Sequence, residues 1–591
     1  MFNVFSYTFL EGNPSKALVE PNSIVLTEHL AKKLFGNEPA LNKVLYVDQG
    51  GAGDDFHVTA VIRDEMRSHI HANFFVSMTS SGWGEYIRSD EANGEWAGQN
   101  FMPSYVRLVP GANLDNVIAK MNDVLQRHGG EDLKAMGFNK TLRLEPVKDI
   151  YLKSSVGQSP RIIYTYVIVS IAVFILLLAC INFMNLSTAK AAKRAGEIGV
   201  RKVMGAFRST LIKQLMGETL LIVIVSLLIS VVMVQLALPF FNELTEKHIA
   251  FGSNNMLYIG LALIAIAIIT GVAAGSYPAF YISSFQPAQV LKGKFDQLKS
   301  SGWLRRGLVV FQFMIAITLV CGMLIISRQL TYIQEKNLGF DASAKIVLPM
   351  RTVEAHEKYE SLKQALGGVS TVNDVSGANY IPGSFIFSDG MFYPDGSSMD
   401  NAVRTFRNYV DAHYMELLEI KLLAGRTFSD NRSVEQNTKV IINRKAAEEF
   451  GFTIEGAIGQ HVYTDWQGTR YDQEIVGVME DFHQTTLKEN ILPMMLAVPE
   501  NGRAYDFILL DVQPEDFKRT IASIETKWKE QVNNTPFEYT FLDESISKQY
   551  NEDRRVSAII TTFTIIAMLI SALACTDCQP TWLNDASRKS A

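Results

Sequence analysis

Cysteine is scarce: the 591 residues include four. Cys180 and Cys321 lie inside apolar runs, Cys575 and Cys578 lie near the end, and the long polar blocks have none. That excludes a disulfide framework holding those blocks together. Charge of either sign is missing from five long stretches, Ile162–Ser187, Thr219–Asn242, Met256–Phe285, Gly307–Ser327 and Val556–Cys575. A phosphate-binding G-x-x-x-x-G-K-[ST] sequence is also lacking, so these residues offer no ATP site of that kind. With a net charge of −6, nothing points to nucleic acid as a partner. The chain opens in ordinary polar sequence at Met1-Phe2-Asn3, without the form of a signal peptide.

What is present divides sharply. The average of 48% hydrophobic and 20% charged residues conceals polar blocks alternating with apolar runs. A helix needs about 20 apolar residues to cross a hydrocarbon layer about 30 Å thick. Each of the five stretches meets that requirement, and a charged residue at a span centre would cost about 3 kcal/mol. Core helices of soluble proteins are amphipathic, so five charge-free runs read as membrane spans. The loop between the first two carries Lys190, Lys193, Arg194, Arg201, Lys202, Arg208 and Lys213 against Glu197 alone. The loop between the third and fourth carries Lys292, Lys294, Lys299, Arg305 and Arg306 against Asp296. The excess of cations places both loops in the cytoplasm and residues 1–160 and 329–554 outside.

The two outer blocks read as copies. Ser23 to Gly36 (SIVLTEHLAKKLFG) precedes the strand-like Phe56 to Ile62, and Thr438 to Gly451 (TKVIINRKAAEEFG) precedes Gln473 to Met479. Each reads as a strand, a short helix ended by glycine, then a pair of strands. Upstream, Phe9-Leu-Glu-Gly12 matches Leu422-Leu-Ala-Gly425. The repeat leads us to expect a chain short of its upstream span and interrupted before residues 576–591, the full protein having eight spans in two halves.

At this point the residues resemble the MacB/FtsX-type permeases of ABC transport systems. Glu197-Ile-Gly-Val-Arg-Lys-Val-Met-Gly-Ala206 resembles the family's cytoplasmic signature after its second span. Ser276-Tyr-Pro-Ala-Phe280 and Phe285-Gln-Pro-Ala-Gln-Val-Leu-Lys-Gly293 are similar to the segment closing its fourth span. The resemblance covers nearly all of the chain up to Cys575; a second signature after the last span is absent. It implies a multi-pass α-helical membrane protein with two α+β periplasmic domains and an internal duplication. The domains would be a first periplasmic copy (1–160), three spans with two cytoplasmic loops (161–306), a fourth span (307–327), a second copy (328–555), a fifth span (556–575) and an aberrant tail (576–591). It further implies that a separate cytoplasmic ATPase subunit binds ATP and magnesium, that this chain holds no cofactor, and that a periplasmic adaptor is a further partner.

Residues 190–217 bear a reading of their own. Val200, Val203, Met204, Phe207, Leu211 and Leu215 recur at helical spacing, with Lys193, Arg194, Arg201, Lys202 and Arg208 on other faces. The pattern predicts an amphipathic helix at the cytoplasmic interface, held by anionic lipid or offered to a nucleotide-binding subunit. Glu197, Gly199, Arg201, Lys202 and Gly205 are the candidate coupling residues, the glycines permitting close backbone approach. Pro278 and Pro287 mark a helix end or a hinge. Asp48 to Asp55 reads as a hairpin tip. His69-Ile-His71 could place two imidazoles on one strand face, without a third ligand. Cys575-Thr-Asp-Cys578 lacks a second pair. Asp481-Phe-His483 reads as a strand end, and no nucleophile and base emerge as a set.

The sequence thus reads as the permease subunit of an ABC transporter in a bacterial inner membrane, converting ATPase motion into movement of periplasmic domains for export or extraction. The competing reading is a non-transporting receptor or scaffold that regulates a partner such as a cell-wall hydrolase.

Overall fold

The computed structural model describes residues 1–576 apart from Asn3, 49–52, 65–68, 95, 97, 99–101, 155–160, 246–248, 250–255, 284–300, 467–468 and 501–503. The chain forms two units. One joins Met1–Tyr151 to Lys336–Gln549, and the other joins Leu152–Glu335 to the segment from Tyr550.

In the first unit, the amino-terminal stretch contributes β1 (Phe9–Gly12), β2 (Ser23–Thr27), α1 (Glu28–Phe35), β3 (Val44–Val47), β4 (Asp54–Ile62), β5 (Phe74–Val76) and α2 (Leu114–Ala135). β4 pairs antiparallel with β1 and β3 and parallel with β2, and β2 pairs antiparallel with β5. Thr27 caps α1 by accepting from the Leu30 amide, as its short hydroxyl side chain favours. Ile24, Leu26, Phe56 and Val58 alternate inward to make the core, the period of two that the pleat imposes.

The later stretch contributes β6 (Lys345–Pro349), α3 (Tyr359–Gly367), β7 (Val372–Ala378), β8 (Asp389–Pro394), β9 (Val403–Tyr409), β10 (Leu422–Gly425), β11 (Lys439–Asn443), α4 (Arg444–Glu449), β12 (His461–Trp466), β13 (Thr469–Met479), β14 (Met494–Ala497), β15 (Phe507–Val512), α5 (Phe517–Gln531) and β16 (Thr540–Phe541). β16, β6, β15 and β7 form an antiparallel sheet whose core is shared with α3 and α5 through the wholly buried Tyr359, Leu362, Ile524 and Trp528. The other strands close a ring: β13 pairs β11, β11 pairs β14, β14 pairs β9, β9 pairs β8, β8 pairs β12, and β12 returns to β13. A closed ring leaves no edge among those six.

Around β13 the later stretch has the same strand pairings as the earlier one has around β4. β10 pairs antiparallel with β13 as β1 does with β4, with an irregularity at Leu422/Ala424 as at Phe9/Glu11. β11 runs parallel to β13 as β2 does to β4, slipping at Val440/Ile441 as at Ile24/Val25. Gly12 (φ 87°) and Gly425 (φ 81°) hold the same place, and a Cβ on either would overlap the backbone carbonyl of Thr59 or Val476. Only glycine fits there. The strand, helix, strand-pair order expected from the sequence is present in both stretches.

Among the described residues the second unit holds five long helices: α6 (Ile162–Val203), α7 (Arg208–Thr245), α8 (Met256–Ser283), α9 (Ser301–Glu335) and α10 (Asn551–Thr576). Each contains a stretch long and apolar enough to cross a membrane. Their outward faces are apolar: Leu236 is 77% exposed and Phe240 68%. Such a surface is stable only where the surrounding medium is itself apolar. Inside, Ile171 and Leu178 of α6, Ile315 and Leu319 of α9, and Ile560 and Ala567 of α10 pack in one cluster.

Several sequence expectations are corrected. Residues 190–217 are not one helix but the end of α6, a turn at 204–207 and the start of α7. His69 and His71 lie outside any strand; His69 Nε2 meets the Tyr105 hydroxyl at 2.9 Å, and among the described residues no group of three or more His, Cys, Asp or Glu is placed to hold a metal. Pro278 does not end its helix, which continues to Ser283. The tip of the β3–β4 hairpin, Pro287, Lys292, Lys294, Lys299 and Cys578 lie outside the described residues.

Candidate functional site

α6 runs on past Thr188, where its span ends, for about four more turns to Val203. There Gly205 takes φ 97°, its amide donates to the Lys202 carbonyl at 3.1 Å, and the Ala206 amide donates to Arg201 at 3.0 Å. Those two bonds satisfy carbonyls that a helix end leaves orphaned, and the left-handed residue between them favours glycine. The chain reverses, and α7 begins at Arg208. Ile198 and Leu211, one on each side of the turn, are buried together with Ala206, Leu215 and Tyr281 against them, while Val200, Val203, Met204 and Phe207 of the apolar pattern are exposed.

Polar groups tie three helix ends together. The Arg201 guanidinium donates to Glu197 Oε1 at 2.6 Å and to Gln214 Oε1 at 3.0 Å, bridging α6 to α7. The Lys202 ammonium donates to the Ser283 carbonyl at 2.6 Å, at the carboxyl end of α8, where a cation meets both an orphaned carbonyl and the negative end of the helix dipole. Arg208 Nε reaches Ser283 Oγ at 3.4 Å. Burial, with Arg208 nearby, lowers the Lys202 pKa from its ordinary value. Gly199 is buried, Gly205 has open space around it, and Pro278 is buried within α8.

The outer face of the same turn is bare. Val203, Met204 and Phe207 are 63%, 81% and 78% exposed, side by side, with the exposed Arg201 and Arg208 beside them. The structure brings together Glu197, Arg201, Lys202 and Gly205 with Gln214 and Ser283, the last two missed in the sequence because their roles depend on helices that meet only in the fold.

The sequence reading also passed over polar residues inside the apolar runs. Gln312 of α9 is wholly buried, and among the described residues neither its Oε1 nor its Nε2 has a hydrogen-bond partner. Asn182 Oδ1 and Asn185 Nδ2 of α6 and Ser571 Oγ of α10 are likewise buried without partners. Arg161 pairs with Glu552 at 2.9 Å and the Tyr164 hydroxyl donates to Asp553 at 2.9 Å, fastening the start of α6 to the start of α10. Gln312 lies one turn from Ile315, and Asn182 one turn from Leu178, so the unpaired groups follow the apolar cluster along the same faces. Their signal was an amide at heptad spacing in an otherwise apolar run.

In the α/β unit, Asp481 accepts from the Lys445 amide at 3.0 Å just beyond β13, and burial lowers the pKa of His483, with Lys336 adding to it.

Five helices of membrane length and a separate α/β unit built from two stretches of the chain define a multi-pass membrane permease with periplasmic domains. The chain belongs to the MacB/FtsX-type permease family: the MacB-like periplasmic core domain matches residues 1–124 and 308–527, more than half of the chain, and the FtsX-like permease C-terminal domain matches residues 169–281. Over 187 residues it is 26% identical to the macrolide export ATP-binding/permease protein MacB of Sodalis glossinidius (strain morsitans), covering 31% of this chain and 26% of that protein. Over 285 residues it is 25% identical to the protein of the same name from Burkholderia thailandensis, covering 47% of this chain and 39% of that one. The chain therefore spans well under half the length of these relatives. Among solved structures it is similar to the periplasmic region of MacB from Actinobacillus actinomycetemcomitans (13% identity, TM-score 0.26, 37% of this chain and 97% of that one). It is also similar to the extracellular domain of the noncanonic ABC-type transporter YknZ from Gram-positive bacteria (19% identity, TM-score 0.23, 33% and 98%).

Proposed function

We propose that this chain is the permease subunit of an ABC transporter in a bacterial inner membrane, passing the motion of a separate cytoplasmic ATPase to its periplasmic domains for export or extraction of a substrate. The observation that carries the reading is the turn between α6 and α7. Val203, Met204 and Phe207 expose an apolar knob ringed by cations, while Lys202 and Arg201 bind the ends of α8 and α7 behind it. A knob that only floated on lipid would not need three helix ends fastened to it. Fastening makes a push on the turn a push on all three helices.

The cationic loops support a cytoplasmic position for this turn. The matching strand order, slips and glycines of the two α/β stretches support an internal duplication. ATP and magnesium would be bound by the ATPase, with an adaptor outside and lipid around the spans.

The test is copurification of a co-expressed ABC-type ATPase, and its turnover, with Met204→Asp and Phe207→Asp. The reading expects both to lose the ATPase, while the protein keeps its unfolding transition. Retained binding and unchanged turnover would leave the receptor or scaffold reading in its place. Glu197→Ala with Arg201→Ala should retain binding and lower turnover, since that pair positions the turn without being its contact face.

A further inference from the structure

The six-stranded ring has an open end, and a cavity of 370 Å³ lies there. Its walls are mostly apolar or aromatic: Met391 and Phe392 of β8, Tyr409 of β9, Trp466 of β12 and Tyr471 of β13. Met136 and Phe138, just beyond α2, close one side, where a Cβ at Gly137 would sit 3.0 Å from the Met399 carbonyl. A cavity of that size at the mouth of a barrel, with polar groups such as Ser388, Asn437 and Thr464 set among the apolar walls, has the form of a small-molecule site.

Two polar groups in its lining lack partners. Gln473 is 4% exposed, and its Oε1 accepts nothing. The Nε–H of Arg407 is buried and donates to nothing, although its guanidinium lies 5.0 Å over the Phe392 ring and reaches the Tyr409 hydroxyl at 3.2 Å. The nearby carboxylates are engaged elsewhere: Asp389 with Arg404 at 2.5 Å, and Asp465 with the Tyr393 hydroxyl at 2.8 Å. The Nε–H of a permanently charged guanidinium and an amide oxygen, both buried and without a hydrogen-bond partner among the described residues, are costly unless something else completes them.

What completes them must supply an anion or acceptor to Arg407, an N–H or O–H to Gln473, and an apolar body to the aromatic walls. An amide-bearing carboxylate with an apolar side chain has all three. We propose that this open end binds the C-terminal residue of an apolar peptide, its carboxylate on Arg407, its amide N–H on Gln473 Oε1 and its side chain against Phe392 and Trp466. The proposal does not depend on the transport reading.

The test is calorimetric titration of the full chain in detergent with acetyl-trileucine and with acetyl-trileucinamide, which lacks the carboxylate. The free acid should bind at least about tenfold more tightly, the usual weight of a charge-assisted contact. Arg407→Met should abolish that preference. Gln473→Met, which removes an orphaned acceptor at constant bulk, should weaken both peptides several-fold without lowering the unfolding temperature. It decides the matter alone if Arg407→Met fails to fold. Equal affinity for acid and amide, absence of saturable binding, or full affinity in Gln473→Met would overturn the proposal.

Discussion

The ammonium of Lys202 and the main-chain oxygen of Ser283 meet at 2.6 Å, joining the end of α6 to the end of α8 across 81 residues of sequence. A bond between two helix termini resists their separation without restricting rotation along their lengths. Lys202→Met keeps the aliphatic stem and removes the donor. It should destabilise the five-helix unit by about 1–3 kcal/mol, seen as a lower unfolding temperature in detergent. An unchanged transition would show that the bond contributes nothing there.

Gly205 is held at φ 97° with no atom within contact of a Cβ. Its value is therefore conformational and not steric. Gly205→Ala should cost about 1–2 kcal/mol through the left-handed backbone alone, whereas Gly217→Ala, in mid-helix, should be neutral or stabilising. Equal effects at both sites would refute the assignment of Gly205 to the helix end.

Gln312 contributes two buried polar atoms to the helical unit without a partner for either. Replacing it by leucine should stabilise that unit by about 1–3 kcal/mol, the cost of leaving such groups unmade. A raised unfolding temperature for Gln312→Leu, with slower turnover of an attached ATPase, would indicate that the unpaired layer is kept for movement between helices. A lowered temperature would mean that the amide is satisfied in the folded protein after all.

Glu435 is wholly buried and accepts from Arg426 at 2.8 Å and from the Ser429 hydroxyl at 2.8 Å. Burial raises its pKa, but the hydrogen bonds from Arg426 and Ser429 outweigh it and leave the value below the ordinary 4.5. A carboxyl depressed on folding stabilises the native state above its unfolded pKa, and that contribution is lost as pH falls through the folded value. Unfolding of the α/β unit should therefore become easier below about pH 4. Glu435→Gln should be less stable at pH 7 and show a flatter acid limb; an identical pH profile would contradict the linkage.

The apolar runs could be read directly because transfer into lipid is close to a sum over residues, and no charge interrupts those sums. The turn was harder. The spacing of Val200, Val203, Phe207, Leu211 and Leu215 suits one helix or two joined by a turn, and only the backbone at Gly205 separates the alternatives. Gln214 and Ser283 gave no signal, since neither neighbour of Arg201 and Lys202 is close in sequence. The unpaired Gln473 and Arg407 were invisible for the same reason: β9 and β13 do not touch, and share a cavity only because the ring closes through β8 and β12.

By itself the sequence determined that five segments belong in lipid, that cations gather in two loops, and that a strand–helix–strand-pair unit occurs twice. Those are local properties, fixed by side-chain polarity, by period and by a few glycines. Only the tertiary structure decided where α6 ends, which helix ends it fastens, and which strands close around the cavity at Arg407. Such choices depend on contacts between residues far apart in the chain, whose energies no single segment contains.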